Sequence, residues 1–286
     1  MAVIKMNFLS QALGMQTNVT ICLPSYSFAD RMSGREEVYV PGMKYQVLWL
    51  LHGGSGDDSD YLHFSNITRY ADNNKIAVVM PADYNAAYTD DLDGGAKYFQ
   101  YVAEELPKMC RALFPFSDKR EDNFVGGLSM GSHGAMKVGM NYPEQYAGML
   151  IMSGCSYRPG VPMTVPAKNG VFDLDTPARP LNSIMSYLHD ADRIKGTVDD
   201  IYTIAEENAK QGKPLPKIYM RVGLDDHALY RARKARESLS AMGYDIAQYE
   251  EVPGMGHEWD LWDETLRIAL NEWLPIRRSA IYPGEE

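Results

Sequence analysis

A serine framed by glycines, Gly127-Leu128-Ser129-Met130-Gly131, directly follows the apolar, strand-like run Asn123-Phe124-Val125-Gly126, and no other stretch so restricts what this chain can fold into. A serine at the tip of a strand-to-helix turn adopts a strained backbone, and neighbours without side chains let strand, turn and helix approach closely. The pattern predicts a nucleophile elbow that presents the Ser129 hydroxyl. Such a short motif counts only in context. Here a strand precedes it, and Ser132 to Met140 has helix-compatible composition until Pro143 stops it.

Apolar strand-like runs recur between helix-like segments, with Gly, Asp and Pro at the joints, which is the grammar of an α/β fold. The strands expected are an alternating Met1 to Leu9, then Asn18 to Leu23, Gln46 to Leu51, Ile76 to Met80, Asn123 to Gly126, Gly148 to Met152, Ile218 to Val222 and Asp245 to Glu250. Val47 to Leu51 and Ile76 to Met80 are continuously apolar, as strands covered on both faces by helices are. Helices are expected at Lys97 to Leu113, Ser132 to Asn141, Ala228 to Met242 and Trp259 to Trp273, with Pro107 kinking or ending the first. Residues 155–216 break this rhythm with Pro159, Pro162, Pro166, Pro177 and Pro180. They read as an irregular, lid-like insertion over the mouth of a site, holding one helix near Asp199 to Lys210. No repeat or linker demands a second domain, so 1–286 is expected to be a single one.

The formal charge of −10 argues against nucleic acid or an anionic membrane as the main partner, because both require a basic surface. An uncharged small molecule fits better. Cys22, Cys110 and Cys155 are few, odd in number and far apart, so no disulfide framework and no zinc spacing is expected. The N-terminal nine residues lack the long apolar core of a signal peptide, and no run is long enough to span a membrane; a cytoplasmic protein is the expectation.

A serine hydroxyl becomes a competent nucleophile when a base takes its proton and a carboxylate orients that base. In elbow-bearing hydrolases the chain order is serine, acid, histidine, each on a loop after a sheet strand. His52, His63 and His133 precede or adjoin Ser129, and His189 lies in the insertion, so His227 and His257 remain. His257 sits in the glycine-rich Pro253-Gly254-Met255-Gly256-His257, between the last strand and the last helix, where the base belongs. The acid must come from Gly223-Leu224-Asp225-Asp226-His227, in which Asp225 and Asp226 compete on equal terms. The loser is expected to be a turn residue or to cap the following helix, and His227 to line the pocket or begin that helix. Oxyanion donors are expected from the Met130 amide and from the loop Leu51-His52-Gly53-Gly54-Ser55-Gly56, with Gly54 the preferred donor and Gly53 beside it. That loop lacks the patterns of nucleotide-binding loops, and the clusters Asp57, Asp58, Asp60 and Asp90, Asp91, Asp93 lack a calcium-loop pattern and read as solvated. No cofactor or metal is expected. Tyr61, Phe64, Tyr84, Tyr88, Tyr157 and Trp259 divide between an aromatic pocket and ordinary core.

Taken together, Leu51-His52-Gly53-Gly54-Ser55-Gly56, Gly127-Leu128-Ser129-Met130-Gly131, Gly223-Leu224-Asp225-Asp226 and Gly256-His257-Glu258-Trp259-Asp260-Leu261-Trp262 resemble the esterase D-like group of α/β hydrolases, over about Met6 to Trp273. That group includes S-formylglutathione hydrolases, tributyrin, acetyl and feruloyl esterases, and mycolyltransferases. The resemblance implies an α/β-hydrolase fold, a mostly parallel central sheet flanked by helices. It implies Asp226 as the acid, His257 as the base, and a serine carboxylesterase acting on short-chain esters, with thioesterase chemistry, acyltransferase chemistry and a non-enzymatic binding protein on the same scaffold as the alternatives; Gly53, His227 and Trp259 are the residues expected at the substrate. Dimers or larger homo-oligomers are implied as well. One departure stands out: Ser132 occupies a position where the group often carries a further glycine, so packing beneath the elbow is expected to differ.

Overall fold

The structure, a computed structural model, describes residues 1–34, 37–154, 156, 157, 159–161 and 181–285. Eight strands form one sheet: β1 Ala2–Leu9, β2 Gln16–Leu23, β3 Val47–Leu51, β4 Ala77–Pro81, β5 Asn123–Leu128, β6 Gly148–Met152, β7 Lys217–Gly223 and β8 Ile246–Val252, in the order β1-β2-β4-β3-β5-β6-β7-β8. The first two joins are antiparallel and the rest parallel. This is the α/β architecture expected. The edge strand β1 alternates half-buried and exposed residues, whereas β3, β4, β5 and β6 are buried throughout, matching their unbroken apolar sequence. Period-two alternation sends Val47, Trp49 and Leu51 to one face of the sheet and Leu48 and Leu50 to the other, so each face carries its own core.

From β3 the chain steps to β4 on one side and then returns to place β5 on the other. Such a reversal opens a crevice at the carboxyl ends of β3 and β5, the standard place for a ligand in an open α/β sheet. The Gly53-Gly54 loop leaves β3 there, and Ser129 leaves β5. In-register pairing of Val47 to Leu51 with Asn123 to Gly127 brings the two exits level.

Several local expectations change. The helical stretch after Lys97 survives Pro107 because a π-helical turn, Tyr101–Glu105, separates Tyr98–Gln100 from Leu106–Leu113 and leaves Pro107 in the first turn of the latter, where its missing N–H costs nothing. The last helix likewise runs Trp259–Ile268 and closes in a π turn, Ala269–Trp273. Within 155–216 the described residues hold helices Leu181–Leu188 and Ala191–Ile194 besides Ile201–Lys210. Residues 181–216 are thus more regular than the single helix expected. The lid expected there lies partly outside the described residues, as do Cys155, Pro162, Pro166, Pro177 and Pro180. The acidic cluster after β3 is not simply solvated: Asp58 is buried and accepts a 2.5 Å bond from the Thr20 hydroxyl, and Asp60 opens a short helix, Asp60–Phe64. Asp90 accepts the amides of Phe99 and Gln100. Cys22 and Cys110 are buried thiols, pushed up to about 12 by burial. Among the described residues, no helix is long and apolar enough to cross a membrane.

Candidate active site

Ser129 closes β5 with φ 51° and ψ −115°, a conformation a side-chain-bearing residue holds only under constraint, and the helix Met130–Asn141 begins at once. The constraint is backbone-to-backbone contact. A Cβ on Gly131 would lie 2.1 Å from the Leu51 carbonyl oxygen and 2.7 Å from that of His52; a Cβ on Gly127 would lie 2.4 Å from the Gly131 carbonyl. Both motif glycines are therefore required by the close approach of the helix to β3. Ser132, the departure from the group pattern, is fully buried, and its Oγ lies 2.7 Å from the Met152 carbonyl, to which it donates its one proton, and 3.0 Å from that of Gly127. Gly154 makes room for it, since a Cβ there would come within 2.8 Å of Ser132 Cβ. The hydroxyl thus ties the elbow to β6 by a bond that glycine could not make.

The loop after β3 is held from the other side. Tyr61 and Tyr88, both fully buried, donate their hydroxyls to the carbonyls of Leu51 and His52 at 2.9 Å each. His52 Nε2 accepts the Asp83 amide at 2.9 Å, which leaves the ring proton on Nδ1 to donate to the Gly53 carbonyl at 2.7 Å. Burial lowers the His52 pKa and keeps the ring neutral. Asn85 Oδ1 accepts the Ser55 amide at 2.5 Å. Tyr84, Asn85, Ala87 and Tyr88 all have positive φ, and with Ser55, Ser129 and Ser153 they gather strained backbone at the carboxyl ends of β3 to β6. A buried ammonium locks this segment: Lys137, on the elbow helix, is fully buried, donates to the Tyr88 carbonyl at 3.0 Å and pairs with Asp199 at 2.5 Å.

On the far side, Gly223 ends β7 where a Cβ would lie 2.0 Å from the Met255 carbonyl, so the loops bearing Asp226 and His257 interlock. The Leu224 and Asp225 amides stitch them by donating to Val252 and Met255 at 2.9 and 3.0 Å. His257 Nε2 lies 2.9 Å from Ser129 Oγ, and Nδ1 lies 3.0 Å from Asp226 Oδ1. Of the two competing carboxylates, Asp226 is buried and meets the histidine, whereas Asp225 is exposed. Of the two roles expected for it, Asp225 takes the turn and not the cap; Asp226 Oδ1 accepts the Ala228 amide at 2.8 Å. Burial acts to raise the Asp226 pKa, but the hydrogen bond and charge of His257, the Ser153 hydroxyl and the Ala228 amide outweigh it and hold the carboxyl below its ordinary value. His227 lies tilted against the base with ring centroids 4.2 Å apart, and burial, reinforced by the charge of His257, lowers its pKa to about 4.

The two predicted oxyanion donors flank the elbow. Met130 opens the helix, and Gly53 touches it closely enough that a Cβ would meet Leu128 Cδ1 at 2.4 Å and Ser129 Cβ at 3.5 Å, with Gly54 following. The aromatic candidates divide. Tyr61 and Tyr88 are core braces, while Phe64 and Tyr84 are 57% and 46% exposed. Trp259 is half-buried and packs on Tyr61, Phe64 and Trp262, with centroids 5.5, 5.2 and 5.2 Å away. Tyr157 lies against the buried His133. Sequence reading did not single out Asp83, Asn85, Lys137 or Ser153, and it offered Tyr61 and Tyr88 only as pocket or core. Asn85, Lys137 and Tyr88 bond partners 30 to 49 residues away, Tyr61 and Asp83 bond Leu51 and Tyr88 nearer by, and no local pattern marks any of them.

Sheet order, the elbow after β5 and the loops after β7 and β8 define an α/β hydrolase. The family model described as "Putative esterase" matches residues 10–272. The chain belongs to that esterase family, and it is an enzyme of the serine hydrolase class. It is 29% identical to an acetyl esterase of Caldicellulosiruptor saccharolyticus, across 96% of this chain and 98% of the relative. Two solved structures from Staphylococcus aureus superpose over 96% of this chain and 98% of their own. They are FphF, a fluorophosphonate-binding serine hydrolase, at 28% identity and TM-score 0.76, and the S-formylglutathione hydrolase FrmB, at 27% and 0.75.

Proposed function

We propose that the chain is a serine carboxylesterase for short-chain acyl esters, of acetyl to butyryl size, including such esters on carbohydrate or hydroxycinnamate groups. The observation that carries the reading is the unbroken relay from Ser129 Oγ to His257 Nε2 at 2.9 Å and from His257 Nδ1 to Asp226 Oδ1 at 3.0 Å. Asp226 holds the ring proton on Nδ1, so the Nε2 lone pair faces the hydroxyl. As Ser129 Oγ attacks the ester carbonyl, its proton passes to Nε2, and the Met130 and Gly54 amides take the charge that develops on the carbonyl oxygen. The intermediate collapses when Nε2–H protonates the leaving alcohol. Water, deprotonated by the same nitrogen, then releases the acid from Ser129. Every proton is returned, and the cycle closes without a cofactor.

The acetyl esterase relative supports the short acyl group, and the likeness to FrmB supports a second reading, a thioesterase using the same relay on acyl-glutathione. A panel of p-nitrophenyl acetate, butyrate and ferulate beside an acyl-glutathione ranks the two by kcat/KM. The esterase reading expects acetate or butyrate to lead, and Ser129→Ala to abolish every activity in the panel together. Unchanged turnover in that variant would remove the assignment of Ser129.

A further inference from the structure

Beside the relay stands a second imidazole that ester cleavage does not use. The His227 and His257 ring planes meet at 46°, and His227 Nδ1 is 3.7 Å from Asp226 Oδ1, the oxygen that His257 Nδ1 approaches at 3.0 Å. One ligand atom from each of the three residues thus falls within 4.8 Å of the others, and among the described residues no other group of this kind occurs. A tetrahedral cation bound at about 2.0–2.1 Å keeps its donors about 3.3–3.4 Å apart, and the two measured separations bracket that distance. Two imidazole nitrogens with one carboxylate oxygen suit zinc, cobalt, nickel or copper rather than magnesium or calcium. Asp226 is buried while both histidines are partly exposed, so an ion from solvent can reach the cluster.

We propose that Asp226, His227 and His257 bind a divalent first-row transition cation of the zinc class, and that its binding switches ester hydrolysis off. The switch rests on His257 being the base; the binding site does not. In the metal-free enzyme the single ring proton sits on Nδ1, and Nε2 accepts from Ser129. A cation that takes the Nδ1 lone pair moves that proton to Nε2. Nε2–H then donates to Ser129 Oγ, and no lone pair remains to accept the hydroxyl proton. Proton count is unchanged and no covalent bond to substrate is involved, so a chelator restores activity.

The full-length enzyme, freed of metal by chelator, is titrated with Zn2+ while p-nitrophenyl acetate hydrolysis is followed, and separately with Co2+ while the visible bands of tetrahedral cobalt are recorded. Hydrolysis is expected to fall more than about tenfold and to return with EDTA. His227→Gln, and independently His227→Phe, should raise the half-inhibiting Zn2+ concentration at least about tenfold relative to each variant's own metal-free rate, and should erase the cobalt bands. Ser129→Ala, which removes no ligand, should keep them. An inhibition midpoint that both His227 variants leave unmoved, or cobalt that gives no tetrahedral bands in the parent enzyme, overturns the site. Bands that depend on His227 but come without inhibition overturn the switch; the assignment of His257 as the base fails separately, if His257→Ala keeps its hydrolysis rate.

Discussion

Ser129 and the loop after β3 are set in a scaffold where backbone meets backbone, whereas His257 rides on a loop, Pro253 to Glu258, whose residues are exposed or half-buried. On the nucleophile side, Gly127 and Gly131 let the backbones pack with no room for a side chain against β3, two tyrosine hydroxyls grip the Leu51 and His52 carbonyls, and a fully buried lysine pins the segment that braces His52. On the acid–base side, the fixed point is Asp226, with Gly223 letting the neighbouring loop close over it. The contrast follows from what each group must do. A nucleophile and its oxyanion donors work by being immobile, while a base that accepts and returns a proton twice per cycle needs only to be held through one nitrogen. The nucleophile side should therefore fail by unfolding, and the acid–base side by losing chemistry while the fold persists.

The largest effect tests that division at the base. His257→Ala should cut kcat/KM for p-nitrophenyl acetate by about 10⁴-fold or more, because nucleophile and base act as a unit. Its melting temperature should stay within about 2 °C of the parent's, the side chain being partly exposed. A large drop in melting temperature would erase the contrast. On the other side, Lys137→Met strands the Asp199 carboxylate in the core and should cost about 3–5 kcal/mol in urea unfolding. The double variant Lys137→Met/Asp199→Leu should recover much of that, since an apolar pair leaves no unpaired charge.

Gly131→Ala is expected to destabilise by about 3 kcal/mol, as its methyl meets carbonyl oxygens that cannot yield without moving β3. Soluble, fully stable protein from this variant would show that the elbow is looser than its contacts imply. Ser132→Ala removes one buried bond to Met152, whose carbonyl still accepts the Ser129 amide, so a loss of about 1 kcal/mol is expected with little change in rate.

The smallest effect comes from a pair outside both halves. Burial acts to raise the Asp30 carboxyl, but the Ser27 hydroxyl and the Lys75 ammonium at 2.9 Å outweigh it and lower it to about 2. Because the folded value lies below the unfolded one, the pair stabilises fully above about pH 4, the unfolded value, and loses that contribution as pH falls toward 2. The stability gap between the parent and Lys75→Met should accordingly narrow over that window, with hydrolysis near neutral pH unaffected.

Much of the site is legible in the chain because its chemistry needs small, ordered signatures. Ser129 is marked by an elbow that only glycine neighbours permit, and His257 by its place after the last strand. The choice between Asp225 and Asp226 is different. From the residues alone they are equivalent; resemblance favours Asp226, and in the structure Asp226 is the one turned inward to His257. Asp83, Lys137 and Ser153 escape sequence reading because a buried polar residue reveals itself only through the partner that satisfies it. The aromatics show the same limit: Tyr61 and Tyr88 have equal claims to core and pocket until their hydroxyls are seen bonded to Leu51 and His52.

By itself, then, the sequence determined the α/β class, the run of buried strands, and the residues able to form a serine, histidine and acid in that order, since periodicity and glycine placement are local physical constraints. The tertiary structure decided which carboxylate turns inward, how a serine at position 132 ties the elbow to β6, and that His227 stands against His257. Those outcomes depend on contacts between segments 20 to 31 residues apart in the chain, whose energies no local pattern records.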